Sequence, residues 1–211
     1  MRHLILCVAL ILSNMIGALA AQTSVRPILV LGDSLSAAHN IPMESGWVAL
    51  MQHRLDQQPA KLQRPIVNAS ISGETSAGGL ARLPPLLSAN KPALVLVELG
   101  ANDGLRGLPI AEIRTNLRRI VKTCRDADAK VIVLGIELPI NYGAQYRDAL
   151  SDMYRDLAAE FNVPLVPFLL AGVATDPKLM QDDGLHPLAA GEPQVLENVW
   201  PSVLADLRTI R

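Results

Sequence analysis

The chain has 211 residues, of which 50% are hydrophobic, and a formal net charge of −1. A charge this close to zero argues against the basic surface of nucleic-acid-binding proteins and against an acidic interaction tail. The length fits one domain, and the apolar share is sufficient for a substantial core. We therefore expect a globular protein without a nucleic-acid partner.

The first 21 residues have the pattern of an export signal. Arg2 provides a basic start, residues 4–16 an apolar core, and Ala18-Leu19-Ala20 a small-residue cleavage motif. This core is shorter than the roughly 20 residues of a membrane-spanning helix, and charges or prolines interrupt every later apolar run. We predict a cleaved signal peptide over residues 1–21, one mature domain over residues 22–211, and a periplasmic or secreted location with no transmembrane segment.

Short β-branched runs alternate with longer amphipathic segments, a pattern typical of a parallel sheet covered by helices. The predicted strands are Pro27–Leu31, Pro65–Asn68, Ala93–Leu99, Lys130–Ile136 and Val163–Phe168. The third and fourth strands are apolar almost throughout, as expected for strands buried on both faces. The sequence thus predicts a five-stranded parallel sheet.

Apolar stripes at helical spacing lie between these strands and predict core-facing helices. The stripes are Trp47-Leu50-Met51-Leu55, Ile110-Ile113-Leu117-Ile120-Cys124 and Tyr146-Leu150-Met153-Leu157-Phe161. Two further helices are expected to be interrupted, since glycine and proline disfavour helix interiors. They cover residues 75–88, with Gly78-Gly79 and Pro84-Pro85, and about residues 189–207, with Pro193 and Pro201.

Cys7 lies in the predicted signal, so Cys124 is the only cysteine of the mature chain. No internal disulfide can then form. The helical spacing of Cys124 with Leu117 and Ile120 indicates a buried small hydrophobe rather than a reactive thiol.

Four polar motifs follow predicted strands, and parallel strands end at the same edge of a sheet, where ligands bind. The motifs are Gly32-Asp33-Ser34, Asn68–Glu74 with Gly73, Gly100-Ala101-Asn102-Asp103, and Asp183-Gly184-Leu185-His186. The architecture would therefore bring together residues that are far apart in sequence.

Ser34, Asp183 and His186 are the types of residue that a nucleophilic acyl-transfer site requires. A serine hydroxyl is a poor nucleophile unless a base takes its proton, and a histidine with a pKa of about 6.5 can do so at neutral pH. Asp183 can accept a hydrogen bond from the other ring nitrogen and fix its tautomer. Two alternatives are a simple loop hydrogen bond between Asp183 and His186, and Asp182 as the orienting acid.

Negative charge on a carbonyl oxygen requires donors that already point at it. The backbone N–H groups of Ser34 and Gly73 and the side-chain amide of Asn102 are candidates for this oxyanion hole. Gly73 could instead only permit a turn, and Asn102 could only cap a helix.

Other polar residues near these motifs have simpler explanations. Asp33 and Asp103 are expected to hold the loops through backbone hydrogen bonds, and His39 is a further candidate substrate contact. No cluster has the spacing of metal ligands, so we predict neither a metal nor a cofactor. Ser34 also lacks the G-x-S-x-G elbow, which argues against the α/β-hydrolase fold.

Taken together, the motifs resemble the four blocks of the GDSL family, also called SGNH hydrolases, which supply Ser, Gly, Asn and His. The matching residues are Ser34, Gly73, Asn102 and His186. The runs Asn68–Thr75, Glu98–Gly107, Leu138–Gly143 and Met180–Pro187 are similar to the bacterial periplasmic thioesterases of this family. The resemblance covers nearly the whole mature chain.

This resemblance implies a flavodoxin-like three-layer α/β/α sandwich, the SGNH hydrolase fold. It implies a Ser34-His186-Asp183 triad, an oxyanion hole of Ser34, Gly73 and Asn102, and a loop over Gly104–Leu108 that closes over the substrate. The expected function is that of an exported, monomeric serine esterase and thioesterase, which cleaves acyl-CoA, lysophospholipids or aryl esters through an acyl-enzyme. A carbohydrate O-deacetylase and a non-catalytic lipid- or glycan-binding module are the alternatives.

Apolar side chains in the loops at the active edge would suit an acyl chain or an aromatic group. The candidates for substrate contact are Leu105, Leu108, Leu138, Pro139, Ile140 and Tyr142. The alternative is that these residues only pack around the bases of the loops.

Overall fold

The computed structural model describes residues 25–210, so the predicted signal peptide lies outside the described residues. Five strands form one all-parallel sheet in the order β2-β1-β3-β4-β5. The strands are β1 (Ile28–Gly32), β2 (Ile66–Asn68), β3 (Leu94–Glu98), β4 (Lys130–Leu134) and β5 (Leu165–Val166). The predicted five-stranded parallel sheet is confirmed; β3, β4 and β5 end one or two residues earlier than predicted, β2 ends at the predicted residue, and β1 ends one residue later.

Helices cover both faces of the sheet and complete the predicted three-layer α/β/α sandwich. The helices are α1 (Trp47–Asp56), α2 (Ser76–Asn90), α3 (Ala101–Leu105), α4 (Ile110–Asp126), α5 (Ala144–Phe161) and α6 (Glu192–Leu207). α1 and α6 pack on one face, and α2, α4 and α5 pack on the other. Within residues 25–210, no helix is both long enough and apolar enough to cross a membrane.

The strands supply both halves of the core because successive side chains point to opposite faces of the sheet. Ile28 and Val30 of β1 pack toward α1 and α6, whereas Leu29 and Leu31 pack toward α2, α4 and α5. All four are fully buried. This burial on both faces explains why the strands are continuously apolar rather than alternating. Cys124 lies in the second half of the core, where burial raises the pKa of its thiol to about 12.

The predicted interruption of the helix over residues 75–88 is wrong, since α2 is continuous. Pro84 and Pro85 lie on its exposed side, where water can satisfy the carbonyl groups that lose their helical partners. A side chain at Gly79 would come within 2.4 Å of Leu99, so this glycine permits close packing of the helix on the sheet. Tertiary packing thus overrides the low helix propensity of these residues.

The predicted interruption of the last helix is also wrong. α6 begins at Glu192, so Pro193 lies in its first turn, where a missing N–H costs little. Pro201 lies inside the helix on its exposed side, while Val199 and Val203 remain buried on the opposite side. The buried stripe of α6 keeps the helix continuous.

The strand order places a topological switch between β1 and β3. The chain leaves β1 toward β2 and then returns across β1 to reach β3. Loops from the two central strands therefore diverge at their carboxyl ends, where a crevice forms. Ser34 follows β1 and Asn102 follows β3, so both residues lie beside this crevice.

Candidate active site

Ser34 lies in a loop that a buried carboxyl group holds against the sheet. Oε2 of Glu98, at the end of β3, accepts hydrogen bonds from the Asp33 N–H at 3.0 Å and the Ser36 hydroxyl at 2.9 Å. A side chain at Gly32 would lie 2.8 Å from the same oxygen. Glycine at this position therefore lets the loop after β1 that carries Ser34, called the serine loop below, approach Glu98.

Glu98 is fully buried, and this burial, together with the nearby Asp33 carboxylate, raises its pKa well above the usual range. This environment favours the protonated, neutral form of Glu98, which supports the loop through its accepted hydrogen bonds. This role of Glu98 was not predicted. The available signal was a charged residue at the end of a continuous apolar strand.

The loop that carries His186 is shaped by Asp183. Oδ1 of Asp183 accepts the backbone N–H groups of Leu185 at 2.8 Å and His186 at 3.1 Å. Its Oδ2 lies 2.7 Å from Nδ1 of His186. One carboxylate therefore forms the turn and orients the ring, which explains the three-residue spacing.

Burial raises the pKa of Asp183, but the hydrogen bonds from the Leu185 N–H, the His186 ring and the His186 N–H outweigh this effect. The net result lowers the pKa of Asp183 to about 2. Asp183 therefore stays ionised at neutral pH and accepts a hydrogen bond from Nδ1–H of His186. Nε2 is then left as a hydrogen-bond acceptor.

The fold brings Ser34 and His186 into direct contact. Nε2 of His186 lies 2.9 Å from Oγ of Ser34, although 152 positions separate them in sequence. The Ser34 hydroxyl can therefore donate to Nε2 while Nδ1–H donates to Asp183. This is the hydrogen-bond arrangement of a nucleophile, a base and an orienting carboxylate.

The three predicted oxyanion donors differ in their present hydrogen bonds. Within residues 25–210, the backbone N–H groups of Ser34 and Gly73 have no protein acceptor. Gly73 has a φ of 79°, which favours glycine at this turn. Nδ2 of Asn102, in contrast, donates to Oδ2 of Asp33 at 2.8 Å and to the Glu74 carbonyl at 3.0 Å. The Asn102 amide is thus oriented, but both of its N–H groups are engaged.

Asp33 and Asp103 both hold neighbouring segments together through hydrogen bonds. Oδ1 of Asp33 accepts the Leu35 N–H at 3.0 Å, and its Oδ2 accepts from Asn102. The buried Asp103 accepts the backbone N–H of Ser76 at 2.8 Å, at the start of α2. These contacts tie the loop after β1 to α3, and α3 to α2.

A cavity of about 270 Å³ opens beside the Ser34–His186 pair. His39, Gly73 and Asn102 lie on its polar side. The rest of its wall is mainly aliphatic and includes Leu35, Leu105, Ile136, Leu138, Leu170 and Leu185. A mainly apolar cavity next to a nucleophile suits the hydrocarbon part of an acyl group.

Two of the six predicted substrate contacts, Leu105 and Leu138, line this cavity, and the other four lie outside its wall. Leu108 and Tyr142 pack against the core, and the Tyr142 hydroxyl donates to the Leu105 carbonyl at 2.9 Å. Ile140 is 83% exposed. Pro139 also lies outside the cavity wall. The contributions of Ile136, Leu170 and Leu185 were not predicted, because the segments that carry them meet only in the folded chain.

No group of three or more His, Cys, Asp or Glu side chains within residues 25–210 is arranged to hold a metal ion.

The family of the chain is shown by its match to a protein-family model. Residues 30–192 match the model of the GDSL-like lipase/acylhydrolase family. The chain belongs to this family. It is therefore a hydrolase with the SGNH fold, as its motifs predicted. Ser34, Asp183 and His186 all lie inside the matched range.

Individual relatives of this GDSL-family hydrolase support the same assignment. Esterase TesA of Pseudomonas aeruginosa is 49% identical over 205 residues, which cover 96% of this chain and 98% of the relative. The thioesterase 1/protease 1/lysophospholipase L1 of Escherichia coli K12 is 44% identical over 81% of this chain and 79% of its own length. The crystal structure of the esterase EstA from Pseudoalteromonas, inhibited by monoethylphosphonate, has a TM-score of 0.81 and 40% identity, and the match covers 87% of this chain and 99% of EstA.

Proposed function

We propose that this GDSL-family hydrolase is a serine esterase and thioesterase that uses Ser34 as nucleophile, His186 as base and Asp183 as orienting acid. The observation that carries the proposal is the unbroken contact series from Ser34 Oγ through both His186 nitrogens to Asp183, at 2.9 and 2.7 Å. The names of the relatives, which include esterases and a thioesterase, support the same reaction class.

In the acylation step, Ser34 Oγ attacks the acyl carbonyl carbon while its proton moves to Nε2 of His186. The imidazolium then donates this proton to the leaving alcohol or thiol, and the acyl group remains on Ser34. Asp183 stabilises the transient imidazolium because its low pKa keeps it ionised. A water molecule, deprotonated by His186, releases the acid and restores Ser34.

The free N–H groups of Ser34 and Gly73 would donate to the carbonyl oxygen as negative charge develops on it. Asn102 would supply a third donor if one of its N–H groups turns from Glu74 or Asp33 to the substrate. The aliphatic cavity would hold the acyl chain. These roles favour acyl esters, acyl thioesters and lysophospholipids over acetylated carbohydrates.

The decisive experiment combines active-site labelling with a substrate panel. A fluorophosphonate should label the protein once per chain, at Ser34, and Ser34→Ala should abolish both labelling and turnover. Ser88→Ala changes an exposed serine on α2 and serves as the control. kcat/KM is then compared for p-nitrophenyl esters from acetate to decanoate, for acyl-CoA and for lysophospholipids.

The outcome separates the candidate functions. Turnover that increases with acyl length supports the esterase and thioesterase proposal. Turnover confined to acetyl esters would indicate an O-deacetylase, and absence of both labelling and turnover would indicate a binding module.

We also propose that the protein is exported, on the basis of the signal pattern in residues 1–21. N-terminal sequencing of protein from the periplasm or the medium should give a chain that begins near residue 22. Recovery of mature protein that starts at Met1 would contradict cleavage.

A further inference from the structure

We propose that His39 and Gln181 are positioning residues for the base His186. Gln181 joins the loop that carries Ser34 to the loop that carries His186, and the His39 ring supports the His186 ring. This role rests on the proposed hydrolysis, because it concerns the contact between Ser34 and His186.

Gln181 bridges the two loops with a single side-chain amide. Its Nε2 donates to the His39 carbonyl at 2.9 Å and to the Pro187 carbonyl at 2.8 Å. Its own backbone N–H donates to the His186 carbonyl at 2.8 Å. Gln181 therefore links the backbone at His39 to the backbone at His186 and Pro187.

The His39 ring packs directly on the ring of His186. Their centroids lie 4.3 Å apart, with 39° between the ring planes. This ring contact limits the rotation of the His186 side chain, whose two nitrogens contact Asp183 and Ser34. The geometry matters because a small misplacement of a catalytic base lowers the rate strongly.

The backbone around His39 is held in an unusual conformation. Ala38 and Asn40, on either side of it, have φ values of 55° and 56°, in the left-handed region that residues other than glycine rarely adopt. Gly46 packs closely against Ala38, since a side chain at Gly46 would come within 2.9 Å of the Ala38 side chain. Such conformations persist only where surrounding contacts hold them, and they concentrate at functional sites. The bond from Gln181 to the His39 carbonyl is one of these contacts.

The test uses nearly isosteric variants and two kinetic readouts. Gln181→Glu replaces the amide donor with a carboxylate oxygen that faces two carbonyl oxygens. We expect kcat for a p-nitrophenyl ester, and the rate at which a fluorophosphonate labels Ser34, to fall about tenfold with little change in KM. Gln181→Met, which removes the donor without adding charge, should lower both rates in the same direction.

Gln63→Glu is the matched control. Nε2 of Gln63 also donates to two backbone carbonyls, those of Asp56 at 2.9 Å and Gln58 at 2.8 Å, but in an exposed turn after α1. This control should lower the thermal midpoint without changing kcat. If Gln181→Glu behaves like Gln63→Glu, with a lower midpoint and unchanged kcat, Gln181 has only a structural role and the inference is wrong.

Paired substitutions test the ring of His39. His39→Ala should lower kcat and the labelling rate, and His39→Phe should restore most of both, because phenylalanine keeps an aromatic face against His186. Wild-type kinetics in both alanine and phenylalanine variants would overturn the ring contact. The wild-type protein separates failure of the positioning role from failure of the proposed function. If the wild type turns over substrate and the variants match it, only the positioning role is refuted. If the wild type shows no turnover, the proposed function is refuted and the positioning role with it.

Discussion

The side-chain nitrogen of Asn102 lies 2.8 Å from Oδ2 of Asp33. Oδ2 of Asp33 accepts this hydrogen bond, so Asp33 determines which end of the Asn102 amide faces it. The same aspartate accepts the Leu35 N–H beside Ser34. One carboxylate therefore orients the amide donor and also the backbone of the serine loop.

Asp33→Asn should lower kcat because asparagine has one acceptor oxygen, so either the Asn102 amide or the Leu35 N–H beside Ser34 would lose its acceptor and face an N–H group instead. Hydrogen bonds to charged groups contribute about 1.5–3 kcal/mol, so we expect a decrease of about 10- to 100-fold, with the larger effect on kcat than on KM. Steady-state kinetics with an aryl ester measure this effect. Asp56→Asn is the control, since Asp56 accepts a 2.8 Å bond from Gln52 on α1; equal losses in both variants would refute the orienting role.

Asn102→Ala should lower kcat by about 10²–10³, the usual effect of losing one oxyanion donor. Urea unfolding should show a much smaller change, because Asn102 lies in the first turn of α3 at the crevice and is only partly buried. Asn90→Ala removes a comparable amide bond, to the Leu86 carbonyl at 2.8 Å, from the end of α2. An Asn102 variant that retains wild-type kcat would leave only the two backbone donors in the oxyanion hole.

Leu105→Phe should shift the preference toward shorter acyl chains by filling part of the cavity. Each buried methylene contributes about 0.8 kcal/mol, so the exclusion of two methylenes should lower the decanoate-to-acetate ratio of kcat/KM roughly tenfold. Leu108→Phe is the comparison, because Leu108 lies near Leu105 in sequence but outside the cavity wall. An unchanged chain-length profile in the Leu105 variant would show that acyl chains bind elsewhere.

Glu192→Gln should change how stability depends on pH. Glu192 is buried where α1 meets α6, accepts the Trp47 N–H at 2.8 Å, and has its pKa raised by burial from 4.5 to about 7. The folded state therefore binds this proton more tightly than the unfolded state. Its contribution to stability is complete below about pH 4.5 and is lost as the pH rises through about 7.

Glutamine keeps the acceptor oxygen but does not titrate. The free energy of unfolding of the variant should therefore increase relative to that of the wild type as the pH rises from about 4.5 to about 7. The increase should be at most about 3 kcal/mol. Urea unfolding of both proteins at several pH values gives this difference directly. A difference that does not vary with pH would mean that folding does not shift the pKa of Glu192.

The general arrangement of the site could be predicted from the sequence because the topology of a parallel sheet determines where the site residues lie. Once the β-branched runs predict a parallel sheet, Ser34 after β1 and Asn102 after β3 must lie at one edge. The three-residue spacing of Asp183 and His186 likewise allows a local turn, which the structure contains.

What could not be predicted depends on contacts made only in the folded chain. Local propensity gave the wrong result for α2, because the packing of Gly79 and the exposure of Pro84 and Pro85 are tertiary properties. The bond from Glu98 to the serine loop and the bridge made by Gln181 join segments that are far apart in sequence. The aliphatic wall of the cavity was predicted only in part for the same reason.

Both ends of the described chain lie at the edge of the sheet opposite the crevice. Arg26 donates to the carbonyls of Lys91, Pro92 and Asp128, near the starts of β3 and β4, and Lys130 at the start of β4 pairs with Asp206 in the last turn of α6 at 2.8 Å. A tether or fusion partner attached at either end would therefore hold the protein with its crevice pointing outward. Immobilisation through the termini should leave the entrance open to bulky amphiphiles, whereas attachment through the loops after the strands would obstruct it.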